Sequence, residues 1–204
     1  KVLNNQYNLL ETSDIIKQTI SDIFLGSKRI ADIVEGLRNY TRTEHEQWNS
    51  DNLHKIIDGV LVILKNNYMN RIDIVKNYTA KNPNIQCKIG RIDQAFLNII
   101  SNAIDSIKNN GTISISTKQE AKKITISIKD NGCGIEENQL ARIYDPFYTT
   151  KPVGKGLGLG LSITYSIIQE HSGSIKVIST KEIGTEFIIE LPISQDYEPA
   201  EETT

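Results

Sequence analysis

Two stretches near the middle of the chain, 112–117 and 124–129, alternate isoleucine with polar residues: Ile113 and Ile115 in the first, Ile124, Ile126 and Ile128 in the second. A period of two marks a strand with one buried and one wet face, so these two strands need an apolar layer on one side only. Helical periodicity supplies that layer. Leu53 to about Asn67 reads as an amphipathic helix, and Arg91 to Asn109 gathers Ile92, Ala95, Phe96, Ile99, Ile100, Ala103 and Ile107 on one face. A third helix is expected from about Leu159 to His171, and further strands over 71–77, 85–89, 174–179 and 185–191. Strands follow one another and helices are grouped, which predicts an α+β fold: a two-layer sandwich with a mixed sheet and helices on one face.

Upstream of this body the period changes. From Ser13 to about Thr43, Ile16, Ile20, Ile23, Ile30, Val34 and Leu37 follow a heptad seam whose other positions are Ser27 and Thr41, and Ser13 with Asp14 can cap the start. Ile15, Phe24 and Ile33 widen the apolar surface, which suits a dimeric four-helix bundle better than a two-stranded seam. A long helix packed on its own domain is the alternative. The polar stretch Glu44 to Asn52 breaks the heptad, so the expected organisation is a helical region over 1–45, a globular domain over 46–194 and an acidic tail over 195–204.

The 23 basic and 25 acidic residues leave a net charge of −2, which gives no support to a nucleic-acid partner. No apolar run approaches the ~18 residues of a membrane span, and the sequence opens at Lys1 without a secretory signal, so it reads as a soluble piece without membrane contact. Cys87 and Cys133 have neither disulfide-framework nor zinc-site spacing, and a reducing, cytoplasmic setting is expected, with the full-length protein free to be membrane-anchored.

Four short segments concentrate groups suited to a nucleotide. Asn98 and Asn102 stand four apart and therefore on one helix face, where neutral amide oxygens suit Mg²⁺ held mainly by phosphates; equally, such a pair describes the wet side of a surface helix. Asp130 leaves a strand directly into Gly132 and Gly134, placing a carboxylate that can accept from an exocyclic amine; Asp-Asn-Gly is also an ordinary turn. Gly154 to Gly160 holds four glycines in seven residues, with Lys155 inside, and opens onto a helix. Its amides, with Lys151 and Lys155, can hold phosphate, although it satisfies neither the P-loop nor the dinucleotide pattern and a plain surface loop has the same composition. Gly184-Thr185-Glu186-Phe187 is the fourth.

In order and spacing these segments resemble the histidine kinases of two-component signalling and, more widely, the ATPase superfamily that includes gyrase, the ninety-kilodalton heat-shock chaperone and the mismatch-repair proteins. Gln94 to Ala103 is similar to that family's Asn box, Asp130 to Ile135 to its first Gly box, Asp145 to Lys151 to its Phe box, Gly156 to Leu161 to its second Gly box, and Gly184 to Phe187 to its last. Gly26 to Tyr40 resembles the second helix of the dimerisation bundle. The resemblance implies a Bergerat-type ATP-binding fold and ATP with Mg²⁺ as ligands. It makes Asn102 the metal ligand, Asn98 a phosphate- or metal-side group and Asp130 the adenine reader, with Thr185 assisting through water. Gly132, Gly134, Ile135, Lys151, Lys155, Gly156, Leu157, Gly158, Gly160 and Leu161 would line the nucleotide, Phe147 to about Leu157 would form a mobile lid, and Asp105 is either a further nucleotide contact or a solvated carboxylate. Tyr144, Phe147 and Tyr148 read as the hinge and anchor of that lid.

Hydrolysing relatives carry Glu where this chain has Asn98, and an amide cannot act as general base at neutral pH. The expected reaction is therefore phosphoryl transfer to a histidine of a homodimeric sensor kinase, relayed to a response regulator receiver domain. An ATP-sensing module without catalysis and a serine kinase of the anti-sigma type are the alternatives. The acceptor His is expected upstream of Lys1, because nothing before Ser13 fits it. His45, though followed by Glu46, sits past the wrong helix, and His54 and His171 read as surface or capping residues. Cys133 is expected to be a buried or partly buried spacer.

Overall fold

The computed structural model describes residues 15–24, 26–27, 47–152 and 156–194. The chain divides into two units, one of residues 1–44 and 149–157, the other of residues 45–148 and 158–204. In the first, residues 15–24 form a helix, α1, whose Ile15, Ile16, Ile20, Ile23 and Phe24 are all exposed. Residues 26 and 27 are helical as well; the other residues of the expected helix over 13–43, its bundle, His45 and the acidic tail lie outside the described residues.

The second unit runs β1 (Asn49–Asn52), α2 (Leu53–Ile63), α3 (Lys65–Tyr68), β2 (Ile72–Tyr78), β3 (Asn84–Cys87), α4 (Ile89–Ser106), β4 (Gly111–Gln119), β5 (Lys123–Asp130), α5 (Glu137–Leu140), α6 (Gly160–Glu170), β6 (Ser174–Thr180) and β7 (Gly184–Pro192). Five strands form a mixed sheet in the order β2-β4-β5-β7-β6. β2 pairs parallel with β4, and the other neighbours are antiparallel. Alternation decides which face is buried. Ile113, Ile115 and Thr117 of β4, Ile124, Ile126 and Ile128 of β5, and Phe187, Ile189 and Leu191 of β7 all turn inward beneath α4, which packs against α2 and α6. The outward residues stay partly wet, and Ser127 donates to Glu186 across the outer face at 2.6 Å. This is the expected α+β sandwich.

Where boundaries differ from expectation, pairing or capping decides. The polar stretch expected to link the two regions contains β1, which pairs antiparallel with β3 through backbone bonds that side-chain hydropathy does not announce. The Asn52 side chain then accepts from the amides of His54 and Lys55 and starts α2. α4 begins at Ile89 and ends at Ser106, short of Asn109, because Ile107 is extended and the Arg71 guanidinium donates to the carbonyls of Ile107 (2.5 Å) and Ile104 (3.2 Å).

Candidate functional site

The inward alternation of β5 continues past Ile128 to Asp130, so a carboxylate takes a core position at the strand's end and is only 4% exposed. Such a group needs donors. Oδ1 accepts from the Gly132 amide (2.8 Å), the Ser106 hydroxyl (3.0 Å) and the Thr185 amide (3.3 Å). No bond from another described residue reaches Oδ2, which is also not a sealed, unpartnered atom, so it keeps acceptor capacity that Oδ1 has spent. Burial pushes this carboxyl above the usual aspartate range, and these donors, with Asp130's own backbone amide, only partly oppose it. The result is one oxygen fixed by the protein and one left for an external donor. Gly132 is required here: a Cβ on it would stand 1.9 Å from Ser106 Oγ.

Thr185, 6% exposed, begins the inward row of β7 opposite Asp130. Its hydroxyl meets that of Ser179 at 2.8 Å, and Ser179 Oγ also accepts from the Ile135 amide at 2.8 Å. Gly134 lies between Gly132 and Ile135 with φ 65°, pressed against the Thr180 carbonyl.

From Ser106 the site extends along α4. Asn98, Asn102 and Ser106 are spaced by four and share one stripe, about 12 Å long at 1.5 Å per residue. Ser106 holds Asp130 at one end. At the other, Asn98 Nδ2 donates to the Gly160 carbonyl (3.0 Å) and to Thr164 Oγ1 (3.3 Å), while Thr164, completely buried, donates to the same carbonyl at 2.8 Å. The amide nitrogen is thus committed inward, which turns the Asn98 carbonyl oxygen away from α6. Asn98 and Asn102 are both half-buried, whereas Asp105 is exposed on the neighbouring face.

The start of α6 has no side-chain cap, so the amides of Gly160, Leu161 and Ser162 stay available to an anion beside Asn98. Just before it Gly158, at φ 70°, accepts from the Phe147 amide at 2.9 Å, and Phe147 itself sits at φ 67°. The two stems of the 148–157 segment are joined there. Arg142 stacks 4.6 Å from the Tyr148 ring, and the half-buried Tyr144 tilts against Tyr165 at 5.2 Å. In the unit that holds 149–157, the Lys151 amide donates to Thr149 Oγ1 at 3.1 Å, Gly156 is exposed and Leu157 half-buried. Gly154 and Lys155 lie outside the described residues.

The histidines and Cys133 were read from position alone. His171 is the C-cap of α6, as one of its two expected roles had it, but at 1% exposed it is not on the surface: Nδ1 donates to the Ile167 carbonyl (2.7 Å) and Nε2 accepts from the Lys88 amide (3.0 Å), with Trp48 packed on the ring. Burial pushes its pKa below the ordinary value. His54 is half-buried, its ring stacked 4.2 Å from Tyr78 and its Nε2 2.9 Å from Thr117 Oγ1. Cys133 is exposed rather than a buried spacer; its loop is held by backbone bonds to the Ser106 carbonyl and the Glu182 amide, which leave the thiol outside. Ser106, Ser179 and Thr164, which sequence reading passed over, are the partners that orient Asp130, Thr185 and Asn98. Only the four-residue spacing of Ser106 from Asn102 signalled any of them.

Residues 87–195 match the family model described as histidine kinase-, DNA gyrase B-, and HSP90-like ATPase. The chain belongs to this family. Membership in an ATPase family makes the 87–195 region an ATP-binding domain. The histidine kinase AtoS of Escherichia coli (strain K12) is 35% identical over 187 residues, covering 90% of this chain and 30% of AtoS. Sporulation kinase A of Bacillus subtilis (strain 168) is 39% identical over 142 residues, 69% of this chain and 23% of that kinase. The chain therefore spans less than a third of these curated relatives. Among solved structures, the catalytic domain of histidine kinase ThkA is 31% identical with a TM-score of 0.66, and the match covers 73% of this chain and 99% of that domain. ThkA in complex with the response regulator TrrA gives 30% identity and a TM-score of 0.68, over 82% of this chain and 48% of that one. Among the described residues of this family member, no helix is long and apolar enough to cross a membrane.

Proposed function

We propose that this chain is the ATP-binding and phosphoryl-transferring part of a sensor histidine kinase, with residues 1–45 contributing to a homodimeric helical bundle, 46–194 forming the catalytic domain and a response regulator receiver domain as the onward acceptor. The observation that carries this reading is the two-ended stripe on α4. Ser106 joins it to a carboxylate with one open oxygen, and Asn98 joins it to the uncapped start of α6. A nucleoside triphosphate laid along it would give its exocyclic amine to Asp130 Oδ2 and its phosphates to the α6 amides. On the resemblance alone, Lys151, Lys155 and Gly156 are further candidates for the phosphates.

The donor set suits Mg²⁺ in a particular way. Asn98 and Asn102 are neutral oxygen donors, and the described residues hold no cluster of three carboxylate, His or Cys ligands. Asn102, with Asn98 beside it, would hold a metal carried mainly by phosphate oxygens, and such a metal supplies charge neutralisation as the γ-phosphoryl leaves. The protein's own contribution is to orient the phosphates and keep water unactivated. Asn98 has no basic oxygen with which to take a proton from water, and its nitrogen already serves Gly160 and Thr164. In the transfer an imidazole nitrogen would attack the γ-phosphorus in line, the bond to the β–γ bridging oxygen would break and ADP would leave. His171 cannot be that acceptor, being buried with both ring nitrogens engaged.

The test is γ-labelled ATP supplied to the protein together with a separate histidine-bearing acceptor helix. Acid-labile label on histidine is expected. Acid-stable label would indicate a serine kinase, and tight ATP binding with no label would indicate an ATP-sensing module.

A further inference from the structure

We infer that Ser179 is a positioning residue that forces the Thr185 hydroxyl to present only lone pairs to the nucleotide base, making the Asp130–Thr185 corner selective for a 6-aminopurine over a 6-oxopurine. This rests on the assignment of that corner to the base. Proton bookkeeping carries it. Ser179 Oγ has one proton and three neighbours: the Ile135 amide at 2.8 Å, the Gly184 carbonyl at 2.9 Å and Thr185 Oγ1 at 2.8 Å. The amide can only donate and the carbonyl can only accept. If Ser179 gave its proton to Thr185, its oxygen and the Gly184 carbonyl would face each other with no hydrogen between them. One assignment satisfies every contact: Ser179 accepts from Ile135, donates to Gly184 and accepts from Thr185.

Thr185 thereby spends its only proton on Ser179. Its remaining capacity is as an acceptor, and it lies next to Asp130, whose free Oδ2 is also an acceptor. Both groups suit an N–H edge, directly or through a water that donates to them. A 6-oxo group there would put a carbonyl oxygen against acceptors with no donor to relieve it, and unpaired buried polar groups are where recognition loses most affinity. Without Ser179 the Thr185 hydroxyl can turn its proton outward and serve such a carbonyl.

The experiment is titration of ATP and inosine triphosphate, each with Mg²⁺, against wild type, Ser179→Ala, Ser179→Thr, Thr185→Val and Ser179→Ala/Thr185→Val. Wild type should prefer ATP. Ser179→Ala should weaken ATP by about 5- to 10-fold, the scale of one hydrogen bond, while inosine triphosphate holds or tightens. Ser179→Thr should restore the preference, and the double variant should be no less selective than Thr185→Val alone. An unchanged preference in Ser179→Ala or in Thr185→Val, or additive losses in the double variant, overturns the inference. Because Thr185→Val leaves the Ile135 and Gly184 bonds to Ser179 in place, it decides the matter even if Ser179→Ala fails to fold. Failure of wild type to prefer ATP would instead overturn the assignment of the corner to the base.

Discussion

Asp130→Asn separates ligand recognition from folding at a single atom. The asparagine Oδ1 can keep the bonds from Gly132, Ser106 and Thr185, while the open oxygen becomes an NH₂ aimed at another amine. The loss is a charge-assisted hydrogen bond of about 1.5–3 kcal/mol; taking ~2.7 kcal/mol gives a Kd about 100-fold weaker. At an ATP concentration of 100 times the wild-type Kd, ligand stabilises wild type by about 2.7 kcal/mol and the variant by only about 0.4 kcal/mol. For a chain of this size that is a Tm shift of about 5–11 °C reduced to about 1 °C in differential scanning fluorimetry. Without ligand the order reverses. Burial raises the Asp130 pKa, so its contribution to stability is full below the unfolded-chain value of 3.8 and is lost as pH rises through the folded value. The neutral variant should therefore match wild type in acid and exceed it at neutral pH. An ATP shift equal to that of wild type would refute the role of Oδ2, and collapse of the ligand-free variant would refute the claim that Oδ1 alone holds the turn.

Thr164→Val removes the hydroxyl that accepts from Asn98 and donates to Gly160. It should cost about 1 kcal/mol of stability and weaken ATP several-fold more with Mg²⁺ than without it, which paired titrations would show. Gly132→Ala would drive a Cβ to 1.9 Å from Ser106 Oγ, destabilising the fold by about 1–3 kcal/mol in urea; an unchanged midpoint would disprove the close approach. His171 has a pKa depressed from 6.5 by burial, so its contribution is full above that value and is lost as pH falls through the folded value. In a His54→Gln background, which removes the other depressed histidine, wild-type His171 should lose stability from pH 7.5 to 5.5. His171→Gln should be weaker at pH 7.5 and nearly flat across that range.

Much of the candidate site was legible because its main residues obey local periods. The alternation that buries Ile124, Ile126 and Ile128 carries Asp130 to the same face, and the 3.6-residue period that buries Ile99 and Ala103 leaves Asn98 and Asn102 on the flank. Elements without a hydropathic signature were missed. β1 is entirely polar and exists through its pairing with β3, and α5 is a single turn with no buried residue. The capping place of His171 was legible from the helix end, but its burial was not, because that position says nothing of Trp48 and Lys88, which cover it.

The sequence by itself determined the layering, the strand faces and the chemical types gathered for a nucleotide, since each follows from spacing within one element. Tertiary structure alone decided which oxygen of Asp130 is free, which way the Asn98 amide turns and which hydroxyl gives its proton at Thr185. Those choices are made by Ser106, Thr164 and Ser179, through bonds such as Ser106 to Asp130, Asn98 to Thr164 and Ile135 to Ser179, whose partners stand 24, 66 and 44 residues apart. Hydrogen-bond polarity depends on partners that meet only when the sheet and helices pack, and no local period records it.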